Sequence, residues 1–223
     1  MPFSFLLLLL LAFLIGAIPF AFIVVKKLKG IDIRTVGSGN VGATNAGRVL
    51  GKPFFAGVLV LDALKGVVAA GALPWALSFW AAHLPGGASS ARIVEVLGSD
   101  GLKLCFGIGA FLGHCYSPFL KFKGGKGVAT ALGVYLVVAP KATLLTLVVC
   151  LPLMKITGIV SIASLTGAVL LPIGILVFYW NEQPWTRFCV TVLLSSVVIY
   201  RHRANIRRLI EGTEGKKNDS AKS

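Results

Sequence analysis

Long apolar runs separated by short polar segments make up most of this chain. The runs cover residues 3–25, 54–80, 101–119, 127–139, 142–154, 159–180 and 186–200. Because a helix of roughly 20 apolar residues crosses the hydrocarbon core of a bilayer, the pattern predicts a bundle of about seven transmembrane helices. The fourth and fifth runs are short and only "APKA" separates them, so a re-entrant hairpin is the alternative to two crossings there.

Composition supports a membrane protein. Hydrophobic residues make up 56% of the chain, charged residues 13%, and the mean hydropathy is +0.86. These values lie outside the range of soluble globular domains. We therefore predict an all-α integral membrane protein, with residues 1–212 as a single polytopic domain and residues 213–223 as a polar C-terminal tail.

The distribution of positive charge predicts the orientation of the helices. The net charge is +14, and nearly all lysines and arginines outside the spans fall on one side of the predicted bundle. The other side receives only Arg92, Lys103, Lys141 and Arg187. By the positive-inside rule the basic side is cytoplasmic, which places the N-terminus outside and the C-terminus inside. Since membrane orientation explains the basic surplus, we expect no nucleic-acid partner.

The chain shows no pattern typical of a metal centre or a disulfide framework. Its four cysteines lie in apolar surroundings without CxxC or Cys/His spacing, and no carboxylate cluster with ligand spacing occurs on the cytoplasmic side. We expect no metal and no other cofactor, and activity that does not require a divalent cation.

Three polar motifs interrupt the apolar pattern on the predicted cytoplasmic side. They are "GSGNVGATNAGR" at 37–48, "KFKGGKG" at 121–127 and "RHRANIRR" at 201–208. Because they come from separate parts of the chain and share one interface, a single site is the simplest interpretation.

The residue types in these motifs suit an anionic ligand. Glycines allow close approach of the backbone, and successive free N–H groups form anion-binding nests. Neutral donors come from Ser38, Asn40, Thr44 and Asn45, and charge suited to phosphate comes from Arg48 and Lys126. A flexible loop carrying a positive-inside arginine is the alternative for the first motif. The second motif lacks the spacing of a nucleotide-binding P-loop.

Ionisable residues also occur within or at the ends of the predicted spans. Asp62 and Lys65 are three residues apart and share one helical face, where either a structural ion pair or a role at the ligand is consistent with the pattern. His114 is interpreted as a capping or packing histidine near the end of the third span. His202 lies among arginines, with Asn205 on the same face, and there a functional role is favoured.

Together these motifs resemble a known family. "GSGNVGATNAGR", "DALKG", "GHCYSP", "KFKGGKGVAT", "VSIAS" and "RHRANIRRL", in this order over residues 10–212, are similar to the bacterial membrane glycerol-3-phosphate acyltransferases that use acyl phosphate, the PlsY family. The resemblance implies seven spans, an outside N-terminus and an active site that faces the cytoplasm from the inner membrane. It implies transfer of a fatty acyl group from acyl phosphate to the sn-1 hydroxyl of glycerol 3-phosphate, giving lysophosphatidic acid and phosphate for phospholipid synthesis.

The resemblance also implies roles for particular residues. The residues implied to bind phosphate and glycerol are Ser38, Asn40, Thr44, Asn45, Arg48, Lys126, Ser161 and Ser164. The loop glycines Gly39, Gly124 and Gly125 are predicted to bind phosphate because their backbone allows a ligand to approach closely. The residues implied to be catalytic are Arg48, Lys126, His202 and Asn205. Asp62, Lys65 and His114 are predicted to be supporting residues because of their positions in the spans. Whether His202 accepts the hydroxyl proton or holds a phosphate that accepts it stays open. The implied partners are the two substrates, the bilayer and the soluble enzyme that makes acyl phosphate.

Two other classes of protein share some of these features. An anion transporter would also be basic and polytopic, but it would carry its charges near the midplane between structural repeats. A non-catalytic lipid-binding or assembly protein needs basic loops for anionic head groups but has no need of amides and hydroxyls at fixed spacing.

Overall fold

The computed structural model describes residues 2–215, and all regular structure in that part of the chain is helical. The first helices are α1 Phe3–Ala17, α2 Phe20–Lys29, α3 Ala43–Leu50, α4 Lys52–His83, α5 Gly87–Cys115 and α6 Val128–Val138. The remaining helices are α7 Pro140–Thr157, α8 Val160–Tyr179, α9 Trp185–Arg201 and α10 Arg203–Ile210. Short 3-10 turns occur at Ile33–Thr35, Pro118–Leu120 and Trp180–Glu182.

The chain divides into two compact units, Met1–Pro140 and Lys141–Ser223. In the first unit, α4 packs against α1, α3, α5 and α6. In the second unit, α9 packs against α8 and α10.

Within residues 2–215, five helical segments are long and apolar enough to cross a bilayer. They are Phe3–Lys29, Lys52–His83, Gly87–Leu120, Pro140–Thr157 and Val160–Glu182. The remaining two predicted runs form the shorter helices α6 and α9. The prediction of an all-helical integral membrane protein is confirmed, whereas the number of crossings, the side of each terminus and the single-domain boundary stay predictions.

Two of the apolar runs differ from the sequence prediction. The first run is broken at Ile18 and Pro19, because proline has no N–H to donate and disfavours helical geometry in the residue before it. The third run was expected to begin at residue 101, but α5 begins at Gly87 and continues through a kink at Gly98, where φ is 61°. Polar residues such as Arg92 and Asp100 concealed this extension of the helix.

Small residues bring the helices of the first unit into direct contact. A Cβ added at Gly16 of α1 would overlap the carbonyl of Ala110 in α5, and one at Gly113 would overlap the carbonyl of Phe13. Such contacts between backbones stabilise helix pairs in a bilayer, where the apolar solvent gives little hydrophobic drive for helices to associate.

The contact between α4 and α6 follows the same rule. A Cβ at Gly66 would overlap the carbonyl of Thr130, and one at Gly133 would overlap that of Ala63. Gly66 directly follows Lys65, so this close contact lies next to the buried ion pair of α4.

The predicted orientation can be tested by accessibility in intact cells. In a background without the native cysteines, a cysteine replacing the exposed Ser89 should react with an impermeant maleimide added outside. A cysteine replacing the exposed Ser38 should react only after the membrane is permeabilised, because the positive-inside rule places it in the cytoplasm. The reverse labelling pattern would overturn the orientation.

Candidate active site

The first polar motif folds around the side chain of Asn45. Asn45 is fully buried, its Oδ1 accepts the N–H of Ser38 at 2.9 Å, and its Nδ2 donates to the carbonyls of Ile33 at 3.1 Å and Val36 at 3.0 Å. Gly37 adopts a φ of 59°, and a Cβ there would overlap Oδ1 of Asn45. Asn45 therefore organises the loop from inside.

The other predicted ligands of this motif lie closer to the surface. Ser38, Gly39 and Arg48 are exposed, and Asn40 and Thr44 are half-buried. Thr44 and Arg48 are four residues apart in α3 and so share one face of that helix. This face presents a hydroxyl and a guanidinium together, which is a donor set suited to a phosphate.

The second glycine-rich motif lies against the C-terminal end of α5. The N–H of Gly124 donates to the carbonyl of Cys115 at 3.1 Å, and the N–H of Gly125 donates to the carbonyl of His114 at 3.0 Å. The loop thus satisfies carbonyls that the last turn of a helix leaves without intrahelical partners. Lys126 follows directly, before α6 begins.

These contacts correct the expectation that both loops offer rows of free N–H groups. The N–H groups of Gly124 and Gly125 bind α5, that of Ser38 binds Asn45, and that of Gly39 donates to the carbonyl of Val36 at 3.1 Å. The sequence pattern identified glycine-rich loops but could not show which N–H groups the fold itself uses. Charge for a phosphate would come from the side chains of Arg48 and Lys126.

The ionisable residues of α4 and α5 meet in the interior of the first unit. Lys65 Nζ lies 2.6 Å from Asp62 Oδ1, and His114 Nδ1 lies 3.6 Å from the same oxygen. All three side chains are buried. Removing such charges from water is costly unless they are paired, and here the ammonium and the carboxylate compensate each other.

The break in the first span supplies further partners for this cluster. Lys65 Nζ also donates to the carbonyl of Ile18 and lies 4.8 Å from the centre of the Phe20 ring. Ser117 Oγ donates to the carbonyl of Ala17 at 2.6 Å. These donors satisfy carbonyls that face the gap between α1 and α2.

In the second unit, His202 lies at the junction between α9 and α10. The side chain is buried, and its Nδ1 is 2.8 Å from the carbonyl oxygen of Val198. Because a carbonyl can only accept a hydrogen bond, Nδ1 carries a proton, and in the neutral ring Nε2 then carries the lone pair. This is the tautomer that a general base acting through Nε2 requires.

Ser161 and Asn205 meet at the carboxylate of Glu214. Oε1 of Glu214 accepts from Ser161 Oγ at 2.9 Å and from Asn205 Nδ2 at 2.6 Å, and Oε2 accepts from Arg208 Nε at 2.6 Å. Burial of this carboxyl opposes ionisation, but the hydrogen bonds from Arg208, Asn205 and Ser161 outweigh burial and hold its pKa below the ordinary value. Ser164 Oγ donates to the carbonyl of Val160 at 3.0 Å, so it lies outside this network.

Glu214 is not among the residues predicted from the sequence, because it falls in the segment interpreted as a polar tail. Its only signal is an acidic residue a short distance after a run of arginines, and such a residue is usually part of a solvated surface. Only the return of the chain after α10 brings it to Ser161.

Among the described residues, no group of three or more His, Cys, Asp or Glu side chains is arranged to hold a metal ion.

The fold and these residues define an integral membrane protein whose polar motifs suit phosphate-bearing substrates. Over residues 6–212 the sequence matches the family described as glycerol-3-phosphate acyltransferase, and the chain belongs to that family. It is therefore an enzyme, an acyltransferase of glycerol 3-phosphate, which argues against the transporter and lipid-binding alternatives.

Relatives and solved structures match along nearly the whole chain. The glycerol-3-phosphate acyltransferase of Fusobacterium nucleatum is 40% identical over 206 residues, 92% of this chain and 94% of the relative. The enzyme of the same description from Rippkaea orientalis is 42% identical over 210 residues, 94% of this chain and 91% of the relative.

Two solved structures of PlsY, an integral membrane glycerol 3-phosphate acyltransferase, also match. The glycerol 3-phosphate form has a TM-score of 0.76 and 38% identity, covering 96% of this chain and 95% of the other. The lysophosphatidic acid form has a TM-score of 0.72 and 36% identity, with the same coverage.

The carboxylate of Glu214 makes the stability of its network depend on pH. The ordinary pKa of a glutamate carboxyl is 4.5, and that of Glu214 is lower in the folded state. Ionised Glu214 therefore stabilises the folded state at pH values above 4.5, and this stabilisation is lost as the pH falls through the folded-state pKa. Glu214→Gln should therefore lower the Tm of the detergent-solubilised protein near about pH 6, and the gap to the unaltered protein should narrow toward about pH 3.5.

Glu211→Gln is the matched control. Glu211 forms an exposed pair with Arg207, which contributes little to stability, so its Tm difference should be small at both pH values. A Tm gap for Glu214→Gln that does not change with pH would contradict an ionised carboxylate in this network.

Proposed function

We propose that this protein transfers a fatty acyl group from acyl phosphate to the sn-1 hydroxyl of glycerol 3-phosphate, giving lysophosphatidic acid and inorganic phosphate. It does so in the bacterial cytoplasmic membrane, with its polar motifs facing the cytoplasm, as the positive-inside rule predicts. Membership in the glycerol-3-phosphate acyltransferase family supports the acceptor, and the residue chemistry supports the donor.

Acyl phosphate is a mixed anhydride with a good leaving group, so the reaction needs no covalent enzyme intermediate. The acceptor oxygen forms a bond to the acyl carbon, the bond from that carbon to the phosphate oxygen breaks, and phosphate leaves with the electron pair. Positioning and charge stabilisation can supply most of the acceleration for such a step. Arg48 and Lys126 are the cations that we assign to the phosphate groups.

The hydrogen bond between His202 and Val198 is the observation that carries the proton step. With Nδ1 bound to the carbonyl of Val198, Nε2 of His202 takes the proton of the attacking hydroxyl. Asn205 is oriented by Glu214, and we assign its amide and Ser161 to substrate binding. Asn45 acts indirectly in substrate binding, by holding the loop that carries Ser38. We assign Ser164 to substrate binding together with Ser161.

The identity of the donor can be tested with purified protein. Incubation with glycerol 3-phosphate should give lysophosphatidate when acyl phosphate is supplied, and little or none with acyl-CoA or acyl carrier protein. Activity should persist in the presence of a chelator, because the side chains assigned to the phosphates are cationic. Equal turnover with acyl-CoA, or chelator-sensitive activity restored by magnesium, would overturn this assignment.

The roles of His202 and Arg48 can be read from the form of each kinetic loss. His202→Ala should lower kcat by about 10² to 10⁴ with a modest change in KM if the ring is a general base. A ring that only orients a phosphate would instead raise KM. Arg48→Lys keeps the charge but loses the bidentate fork, so it should remain strongly impaired.

Matched controls come from the same chain. The exposed His83 makes the same kind of contact as His202, because its Nδ1 lies 3.1 Å from the carbonyl oxygen of Phe79, four residues earlier in the chain. His83 has no assigned role, so His83→Ala should retain activity. Arg92→Lys is the control for replacing an exposed arginine by lysine, and it should retain activity. Near-normal kcat and KM in a folded His202→Ala protein would reject both roles of that histidine.

A further inference from the structure

The buried cluster of Asp62, Lys65 and His114 connects to the glycine-rich loop that carries Lys126. His114 holds this loop in two ways, since its carbonyl accepts the N–H of Gly125 and its ring packs directly against Gly125. A Cβ at Gly125 would overlap Nε2 of that ring. The position of the His114 ring therefore limits where the loop can lie.

The ring of His114 is in turn placed by α4. Its Nδ1 lies 3.6 Å from Asp62 Oδ1, and the same oxygen is 2.6 Å from Lys65 Nζ. Asp62, Lys65, His114 and Gly125 line one small cavity together with the break in the first span. One continuous series of contacts thus runs from Ile18 to the glycine loop.

The cost of this cluster argues that it does more than fill space. Ionisable groups within the apolar part of a membrane protein are expensive, and well-packed apolar residues of similar size often stabilise an interior as well or better. A carboxylate and an ammonium would also be satisfied without any contact to a loop. What the cluster adds is a fixed place for a ring on which the glycine loop rests.

We propose that Asp62 and His114 are positioning residues that fix the loop Gly124–Gly127 and, through it, the side chain of Lys126. Lys65 compensates the charge of Asp62 and ties the pair to the carbonyl of Ile18. This inference rests on the proposed function, because it takes Lys126 as a ligand of a substrate phosphate. A displacement of about 1 Å in such a group can cost about 10²-fold in rate.

The first arm of the test compares kinetic signatures. Lys126→Met should raise the KM for one of the two phosphate substrates, and that substrate identifies the phosphate in question. His114→Ala and Asp62→Asn should raise the KM for the same substrate and lower kcat/KM by about 10- to 100-fold. Normal kinetics in Lys126→Met would remove the proposed role of Lys126, and the positioning role would fall with it.

The second arm separates positioning from structural support. Asp62→Asn alone leaves the Lys65 ammonium without its carboxylate, so it should lower the Tm. The double variant Asp62→Asn/Lys65→Gln removes both charges and keeps an N–H donor for Ile18, so the Tm should recover while the KM stays raised. Full recovery of kcat/KM in this double variant would show that the pair is only structural and would overturn the proposal.

The third arm tests the contact between ring and loop. Gly125→Ala should impair activity because of its overlap with the His114 ring, and His114→Ala should relieve that overlap. The combined loss in Gly125→Ala/His114→Ala should therefore be smaller than the product of the single losses. Gly71→Ala in α4 is the control, since a Cβ there meets nothing within 4 Å; it should leave the kinetics unchanged and should not lower the Tm.

The arms distinguish the two hypotheses. If Lys126→Met is impaired, the phosphate role of Lys126 is supported. If the loss of activity in Gly125→Ala/His114→Ala also equals the product of the two single losses, the positioning role of His114 is overturned. The inference would also be contradicted if His114→Ala and Asp62→Asn raised the KM for the substrate whose KM is unchanged in Lys126→Met.

Discussion

The ion pair between Asp62 and Lys65 is the contact on which the polar interior of the first unit depends. The break at Pro19 leaves carbonyls inside an apolar bundle, and Lys65 donates to that of Ile18, which also accepts the N–H of Phe20 at 3.2 Å. A buried ammonium requires a counter-charge, which Asp62 supplies at 2.6 Å. The same carboxylate lies 3.6 Å from Nδ1 of His114, so the polar contacts that begin at the break in the first span continue to the end of α5.

Glycine serves two different purposes in this unit. Between helices, residues such as Gly16 and Gly133 remove side chains so that backbones can touch, which is how helices associate where the solvent is itself apolar. In the loops, Gly37 and Gly125 make room for the side chains of Asn45 and His114. The glycine-rich motifs therefore owe much of their composition to the packing of the loops, and the side chains of these loops are the groups that we propose to bind the ligand.

The second unit shows how a carboxylate can organise neutral donors. Glu214 accepts from Ser161, Asn205 and Arg208 at once, so the hydroxyl and the amide are held in one orientation by a charge that the guanidinium compensates. His202 follows the last residue of α9 and is oriented separately, by its hydrogen bond to the carbonyl of Val198 in that helix. Proton transfer by a histidine requires one tautomer, and this local hydrogen bond selects it.

The sequence by itself determined the membrane class, the approximate positions of the helices and the motifs of the family. Hydropathy and helix breakers are local properties, and α4, α6, α8 and α9 begin and end close to the predicted runs. The roles of individual polar atoms depend on the tertiary structure. Glu214 meets Ser161 across 53 residues, and the amides of Gly124 and Gly125 bind carbonyls of α5 instead of remaining free. A sequence states which donors and acceptors exist, but only packing decides which of them bind each other and which are left for a substrate.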